Sequence, residues 1–191
     1  MPDAHRSRKA RLPLALLATT AALIAPVVVT SAATAGDGGG ISSGSDDGQT
    51  TTSSGHNHVF PVPSSHTYGD GFGAGRNHQG QDVFAPCGRK LVAARSGRVQ
   101  TVASHYAAGN YIVIDGKGTG VDLAYMHLKQ KAIPREGSRV RMGEKIGEVG
   151  ETGNASGCHL HFEKWTAPGY YEGGNASPNV TRALKNWDKY S

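Results

Sequence analysis

Residues 157–163 read Gly-Cys-His-Leu-His-Phe-Glu. Polar and apolar side chains alternate in this stretch, which is the pattern of a β-strand with one buried face. The alternation places His159 and His161 on one face, and Leu160 and Phe162 on the other. Two neighbouring imidazoles backed by apolar residues indicate a functional site, and the alternative is a polar strand face that carries two exposed histidines.

Short runs rich in β-branched residues recur between glycine-containing turns along the rest of the domain. The predicted strands are Lys90–Arg95, Arg98–Ala103, Asn110–Asp115, Val121–His127, Lys145–Val149 and Cys158–Lys164. Helical periodicity is weak except at Asn179–Trp187. The sequence therefore predicts an all-β fold with a minor helix, in which a twisted antiparallel sheet forms a groove. The expected architecture is a β-barrel-sandwich or one like a duplicated hybrid motif.

A second polar pattern, His78-Gln-Gly-Gln-Asp82, lies upstream. In extended backbone His78, Gly80 and Asp82 share a face, and the missing side chain of Gly80 leaves room for the outer two to converge on one ion. The spacing alone is a weak signal, because surface pairs of this kind are common. A third element is Tyr125-Met-His127-Leu, where a lone histidine is more often structural than functional.

Taken in order, these three motifs resemble the lysostaphin/LytM-type zinc endopeptidases of bacterial cell walls. The resemblance covers roughly residues 66–165 and extends to the glycine-containing turns between the motifs. It includes Phe72-Gly73, His78-Gln79-Gly80, Ala85-Pro86, Gly97-Arg98-Val99, Gly109-Asn110-Tyr111, Gly137-x-x-Val140-x-x-Gly143, Ile146-Gly147 and Gly150-x-Thr152-Gly153.

The resemblance implies a role for each motif residue. His78, Asp82 and His161 would bind Zn²⁺, and three protein ligands leave a fourth position open for water. His127 and His159 would be catalytic residues outside the ligand set. Which of these two histidines transfers the proton stays open, and one of them can instead stabilise the oxyanion.

Other residues near the motifs have less defined roles. No H-E-x-x-H motif is present, so Glu163 is interpreted as a supporting residue rather than a catalytic base. Asn110, Tyr111 and Tyr125 are candidates for lining a substrate groove, or else packing and turn residues. The remaining histidines of the domain, His56, His58, His66 and His105, receive no role.

The two cysteines are Cys87 and Cys158. An even pair in an exported protein favours a disulfide, and the alternative is two free, buried thiols. Alternation along the strand puts Cys158 on the face opposite the histidines, which favours the disulfide over a cysteine-containing zinc site.

The N-terminal region has the pattern of an export signal. Four basic residues between positions 6 and 11 precede an apolar run over residues 12–29, and Ala33-Thr-Ala35 offers a small-residue cleavage site. We expect a signal peptide over residues 1–35, a flexible Gly/Ser/Thr linker over 36–55 and the folded domain over 56–191. The alternative is an uncleaved membrane anchor, which the small-residue site and Pro26 disfavour.

Charge limits the classes of partner. The whole chain carries +5, and removing the four basic residues and one acidic residue of the leader leaves about +2. That balance is too small to indicate nucleic-acid binding. We expect a monomer that is secreted, associates with the cell wall, meets the membrane only during export and acts on peptidoglycan peptides.

The resemblance implies hydrolysis of amide bonds in peptidoglycan stem peptides or cross-bridges. One alternative is a catalytically silent peptidoglycan-binding regulator of other wall hydrolases, since some family members have lost ligands. Another is a carrier or phosphotransfer domain, because residues 137–150 resemble the β units of biotinyl and lipoyl carriers in shape. Their turn holds Arg141-Met-Gly143 in place of a modifiable lysine, which disfavours a carrier.

Overall fold

The computed structural model describes residues 55–75, 77–116 and 119–191. The predicted signal peptide, and all of the predicted linker except Gly55, lie outside the described residues. Within those residues, no helix has the length and apolar character needed to span a membrane.

The described residues form a mostly β domain with one short helix, as predicted. Its elements are β1 (Thr67–Tyr68), β2 (Gln81–Phe84), β3 (Lys90–Val92), β4 (Gly97–His105), β5 (Gly109–Asp115), β6 (Asp122–Leu128), β7 (Arg139–Val140), β8 (Lys145–Glu148), β9 (His159–Lys164) and α1 (Val180–Asp188).

Seven strands form an antiparallel sheet in the order β1-β2-β9-β6-β5-β4-β7, and β3 pairs with β8 in a separate ribbon. The strand that carries the two histidines, β9, therefore lies between β2 and β6. Its register sets Asp82 directly opposite His161, and Phe84 opposite His159. On the other side, Met126 of β6 is opposite His161. Residues far apart in sequence thus meet on one sheet face.

The hydrophobic core lies on the other face of this sheet, between the sheet, the ribbon and α1. Leu160 and Phe162 of β9 are fully buried there with Leu91 and Ile146 of the ribbon. Each large apolar side chain buried in this way contributes about 1.5–3 kcal/mol. Because the apolar face of β9 is fixed in the core, its polar face is held towards the groove.

Helix α1 closes the core from the C-terminal side. Val180, Leu184 and Trp187 are buried at the i, i+4 and i+7 spacing of one helical face. The segment before β1 packs on the end of this helix, where His58 stacks on Trp187 with ring centroids 4.5 Å apart. The two ends of the described domain are therefore packed together.

A disulfide joins Cys87 to Cys158, with the two Cα atoms 5.3 Å apart. The described cysteines are thus paired rather than free. Cys87 lies three residues after the end of β2, and Cys158 immediately precedes β9. The bridge therefore ties together the neighbouring ends of the two strands that carry Asp82 and His161.

Candidate functional site

An open cleft of about 590 Å³ lies on the sheet face opposite the core. All five residues that the sequence singled out as ligands or catalytic residues line it: His78, Asp82, His127, His159 and His161. The predicted groove is thus present, and the structure brings the three sequence motifs together in it.

Three possible ligand atoms converge at the floor of this cleft. Asp82 Oδ1 lies 2.9 Å from His161 Nδ1 and 3.1 Å from His78 Nε2. The donor atoms of the three residues all lie within 4.8 Å of one another. Two imidazole nitrogens and one carboxylate oxygen at this separation form a donor set that suits a divalent metal ion.

The second nitrogen of each candidate ligand ring is held by another group. His78 Nδ1 lies 2.9 Å from the carbonyl oxygen of Gly71, and His161 Nε2 lies 3.0 Å from Glu163 Oε1. Trp165 Nε1 in turn donates to Glu163 Oε2 at 2.7 Å. Partners of this kind fix the orientation of metal-binding histidines and raise their basicity. Glu163 thus contacts a candidate ligand ring, as expected of a supporting residue. The sequence analysis did not point to Trp165.

Charges in the floor of the cleft are mutually stabilised. Burial opposes ionisation of Asp82, but the hydrogen bond and charge of His161, with the charges of His78 and His159, outweigh it and lower the pKa of the carboxyl. Burial likewise opposes protonation of His161, but hydrogen bonds from its ring to Asp82 and Glu163 raise its pKa to about 9. The two carboxylates therefore favour the protonated form of the His161 ring.

Gly80 provides the space that the ring of His161 occupies. A Cβ atom at this position would lie 2.6 Å from the carbonyl oxygen of Phe162 and 2.7 Å from His161 Nε2. Both distances are shorter than a side chain tolerates. The space expected at Gly80 is therefore present, but the ring of His161 fills it, and the nearest atoms belong to neither His78 nor Asp82.

His127 and His159 lie beside the candidate ligands, with ring centroids 4.7 Å apart. His127 Nδ1 is 2.7 Å from the carbonyl oxygen of Thr152, and His159 Nδ1 is 2.9 Å from that of Gly157. A carbonyl oxygen only accepts, so Nδ1 carries the proton in each ring and Nε2 is the acceptor of the neutral form. Burial lowers the pKa of His127 to about 4, which keeps its ring neutral.

His127 reaches the groove through a β-bulge. Strict alternation would put it on the same face as Tyr125, which lies in the core. The register between β5 and β6 shifts by one residue here, and His127 adopts a φ of 62°. Such a conformation is uncommon outside glycine and is often found at functional sites. The bulge therefore turns the imidazole towards the groove, beside Met126.

Three candidate groove residues lie elsewhere. Tyr125 is fully buried and its hydroxyl accepts a hydrogen bond from Ala94 N at 2.8 Å, so it is a core residue. Asn110 Nδ2 donates to the carbonyl oxygen of Leu128, and Tyr111 pairs its hydroxyl with that of Tyr171. Neither of these side chains lines the cleft.

The cleft has further lining residues that the sequence did not reveal. They include Asp70, Asn77, His105 and Tyr170. These four residues come from loops or strand ends without a recognisable pattern. Only the paired strands and their connecting loops bring them to the groove.

Comparison with known proteins agrees with this geometry. The model of peptidase family M23 matches residues 76–175, which is more than half of the chain. The peptidoglycan DD-endopeptidase ShyC of Vibrio cholerae is 37% identical over 86 residues, covering 45% of this chain and 19% of that protein. The match thus spans about a fifth of the length of that relative.

Two solved structures extend the comparison to the fold. The antimicrobial peptidase lysostaphin from Staphylococcus simulans superposes with a TM-score of 0.60 at 28% identity, covering 69% of this chain and 54% of that one. A zinc-containing peptidase from Vibrio cholerae gives a TM-score of 0.52 at 32% identity, covering 57% and 36% of the two chains. The mostly β fold of this chain is therefore shared with peptidases of known structure.

Proposed function

Because the chain belongs to peptidase family M23, we propose that it is a secreted zinc metalloendopeptidase that hydrolyses amide bonds in peptidoglycan stem peptides or cross-bridges. The observation that carries this proposal is the convergence of His78, Asp82 and His161 at the floor of an open groove. Two further imidazoles, of His127 and His159, lie beside them.

The donor set fits zinc on the grounds of its own chemistry. His78 would bind through Nε2 and His161 through Nδ1, since these are the nitrogens that face Asp82. Two histidines and one carboxylate make three ligands, and catalytic zinc sites keep a further position open. Glu163 supplies the acceptor that such a ligand ring requires on its other nitrogen. The zinc-containing peptidase of Vibrio cholerae supports the choice of metal.

Bound at this site, zinc would polarise a scissile carbonyl and lower the pKa of water to about 7. Two side chains would transfer protons and orient the water. His159 Nε2 lies 3.7 Å from Asp82 Oδ1, so it is placed to take the proton of the attacking water and return it to the leaving amine. His127, which stays neutral, offers its Nε2 as a second acceptor that orients the same water.

The groove itself suits an extended peptide. It is open along the sheet face, and its walls carry both polar groups, such as Asn77 and Asn154, and apolar surface from Phe84 and Met126. A stem peptide or cross-bridge presents amides and small side chains without folded structure. Peptidoglycan as the substrate is also supported by the 37% identity over 86 residues with the peptidoglycan DD-endopeptidase ShyC.

Secretion and association with the cell wall form part of the proposal. The basic and apolar pattern of residues 1–35 supports export. The disulfide between Cys87 and Cys158 also supports it, because such bonds persist mainly in oxidising compartments. Peptidoglycan peptides would then be met outside the cytoplasmic membrane.

The direct test is to incubate the zinc-loaded protein with purified peptidoglycan and analyse the soluble products by mass spectrometry. We expect muropeptides with new amino and carboxyl termini, which a chelator abolishes and added zinc restores. His159→Ala should release none, while His56→Ala, remote from the groove, should match the unmodified protein. The protein could instead bind peptidoglycans with several types of cross-bridge and produce no new termini from any of them. That result would contradict hydrolysis and favour a silent regulator.

A further inference from the structure

The side chain of Thr152 lies between strands β5 and β6, close to His127. Its hydroxyl accepts a hydrogen bond from the backbone N of Asn110 at 2.9 Å and donates one to the carbonyl oxygen of Leu128 at 2.8 Å. Asn110 of β5 and Leu128 of β6 are cross-strand partners, at the pair next to the register shift. The hydroxyl of Thr152 therefore connects the two strands at the edge of the β-bulge.

The main chain of Thr152 holds the imidazole of His127. The carbonyl oxygen of Thr152 lies 2.7 Å from His127 Nδ1. The next residue along β6, Leu128, is the one whose carbonyl oxygen accepts the hydrogen bond from the Thr152 hydroxyl. Thr152 therefore contacts the ring of His127 through its carbonyl group and the adjoining backbone through its hydroxyl. One residue thus couples the direction of the imidazole to the geometry of the bulge.

Two glycines allow Thr152 to lie this close to the strands. A Cβ atom at Gly109, the first residue of β5, would overlap with the carbonyl and hydroxyl oxygens of Thr152. A Cβ atom at Gly153 would overlap with the backbone N of Gly109. Beyond Gly153, Asn154 N donates to the carbonyl oxygen of Ala107 at 2.9 Å. The segment that contains Thr152 is therefore fitted tightly against the connection between β4 and β5.

We propose that Thr152 is a positioning residue for hydrolysis: its hydroxyl fixes the bulge, so that its carbonyl oxygen keeps the proton of His127 on Nδ1 and leaves Nε2 free as an acceptor. The inference rests on the proposed function, in which His127 Nε2 orients the attacking water. Thr152 is not among the described residues that line the groove, so it acts through His127. Catalytic groups must be held within about 0.5 Å of their working geometry by supporting contacts of this kind.

Hydrolysis by Thr152→Val, which loses the hydroxyl but keeps the shape of the side chain, tests the proposal. With a soluble cross-linked muropeptide as the substrate, kcat should fall about 10–100-fold, because a slightly misplaced catalytic group is costly. KM and zinc content should stay unchanged. Thr152→Ser keeps the hydroxyl, and its kcat should stay within about twofold of that of the unmodified protein.

The matched control is Thr119→Val, in the connection at the other end of β5 and β6. The Thr119 hydroxyl donates to the carbonyl oxygen of Gly116 at 2.7 Å and accepts from Val121 N at 3.3 Å. Its removal should leave kcat unchanged. Equal losses of kcat in Thr152→Val and Thr152→Ser would overturn the proposal, since packing rather than the hydroxyl would then matter. A normal kcat in Thr152→Val, or loss of its zinc, would also overturn it.

The tautomer of His127 gives a readout that needs no hydrolysis. Long-range proton–nitrogen correlations in the NMR spectrum of the zinc-loaded protein distinguish a ring protonated on Nδ1 from one protonated on Nε2. We expect the Nδ1 form in the unmodified protein, Thr152→Ser and Thr119→Val, and a mixture of the two forms in Thr152→Val. The pure Nδ1 form in Thr152→Val would overturn the proposal. If the unmodified protein failed to cleave peptidoglycan, the proposed function would be wrong, and this spectrum would still decide the role of Thr152.

Discussion

The ring of His161 lies between two carboxylates, those of Asp82 and Glu163. Only the first of them faces the candidate metal position, and the second fixes the ring from behind. Trp165 holds Glu163 in turn. Two side chains, Glu163 and Trp165, therefore stand behind the ring of one candidate ligand, and their contribution to metal binding can be measured.

Replacing Glu163 with Gln should weaken zinc binding by about 10–100-fold, because the ligand ring loses its charged acceptor. Affinity is measured by competition with a chromogenic chelator. Glu148→Gln provides the control, since Glu148 interacts with the exposed Lys145 on the protein surface. Unchanged zinc affinity in Glu163→Gln would show that the contact has no part in orienting the ring.

Sequence reasoning located the candidate residues unevenly. The pair His159 and His161 follows from strand alternation, since Leu160 and Phe162 on the other face are buried in the core. His127 follows only from resemblance to a family, because alternation alone places it with Tyr125. The β-bulge that separates their directions arises from pairing with β5. No local sequence pattern encodes that shift, so the sequence leaves both a groove position and a packing position open for Tyr125, and the structure shows the packing position.

Strand pairing determines how closely the candidate ligands approach one another. On β2 and β9, Asp82 and His161 are direct cross-strand partners. Gly80, immediately before β2, faces His161 and leaves the gap that its ring occupies. The geometry of the site thus depends on the absence of a side chain at one position.

Gly80→Ala should reduce zinc binding sharply and lower stability by about 1–3 kcal/mol, the usual range for overpacking. The added methyl group would displace the ring of His161. Zinc content and thermal unfolding are measured together, with Gly55→Ala as the control, since a Cβ at Gly55 meets no atom within 4 Å. Full zinc occupancy in Gly80→Ala would contradict the role of Gly80 as a spacer.

The disulfide should be a major source of stability. Cys87 and Cys158 are 71 residues apart, and the chain-entropy treatment gives about 4 kcal/mol for a loop of that length. Cys87→Ser/Cys158→Ser should therefore unfold at a much lower urea concentration than the oxidised protein. If reduction or this double substitution left the unfolding midpoint unchanged, the bridge would contribute little to the fold.

The main strands were predictable to within a few residues, because each contains an alternating or β-branched run bounded by glycine. Three strands, β1, β2 and β7, were not among those predicted; β1 and β7 have only two residues each and β2 has four. Elements this short are defined by their partners rather than by their own side chains. The helix, predicted at Asn179–Trp187, runs from Val180 to Asp188 and was recognisable from its apolar face.

The whole domain is closed by contact between its two ends. His58 stacks on Trp187 of α1, and Phe60 N donates to Ser191 Oγ at 2.7 Å. Burial, together with the positive charges of Arg95 and Lys164, lowers the pKa of His58 to about 4. Between about pH 4 and pH 6.5, the His58 ring is therefore neutral in the folded protein and protonated in the unfolded chain.

This difference predicts a pH dependence of stability. Below the ordinary histidine pKa of about 6.5, the unfolded chain binds a proton that folded His58 takes up only near pH 4. The contribution of His58 to stability is thus complete above pH 6.5 and is lost as the pH falls towards 4. His58→Phe keeps the stacking and should flatten this decline in urea-unfolding measurements. An unaltered pH profile would exclude His58 as its source.

The central claim is that His78, Asp82 and His161 hold one zinc ion, with His159 outside the ligand set. Zinc per chain, measured by atomic emission on the purified protein, His161→Ala and His159→Ala, tests it most directly. The account predicts one zinc in the unmodified protein, almost none in His161→Ala, and close to one in His159→Ala with turnover abolished. One zinc per chain in His161→Ala would contradict the assignment. So would loss of zinc from His159→Ala alone.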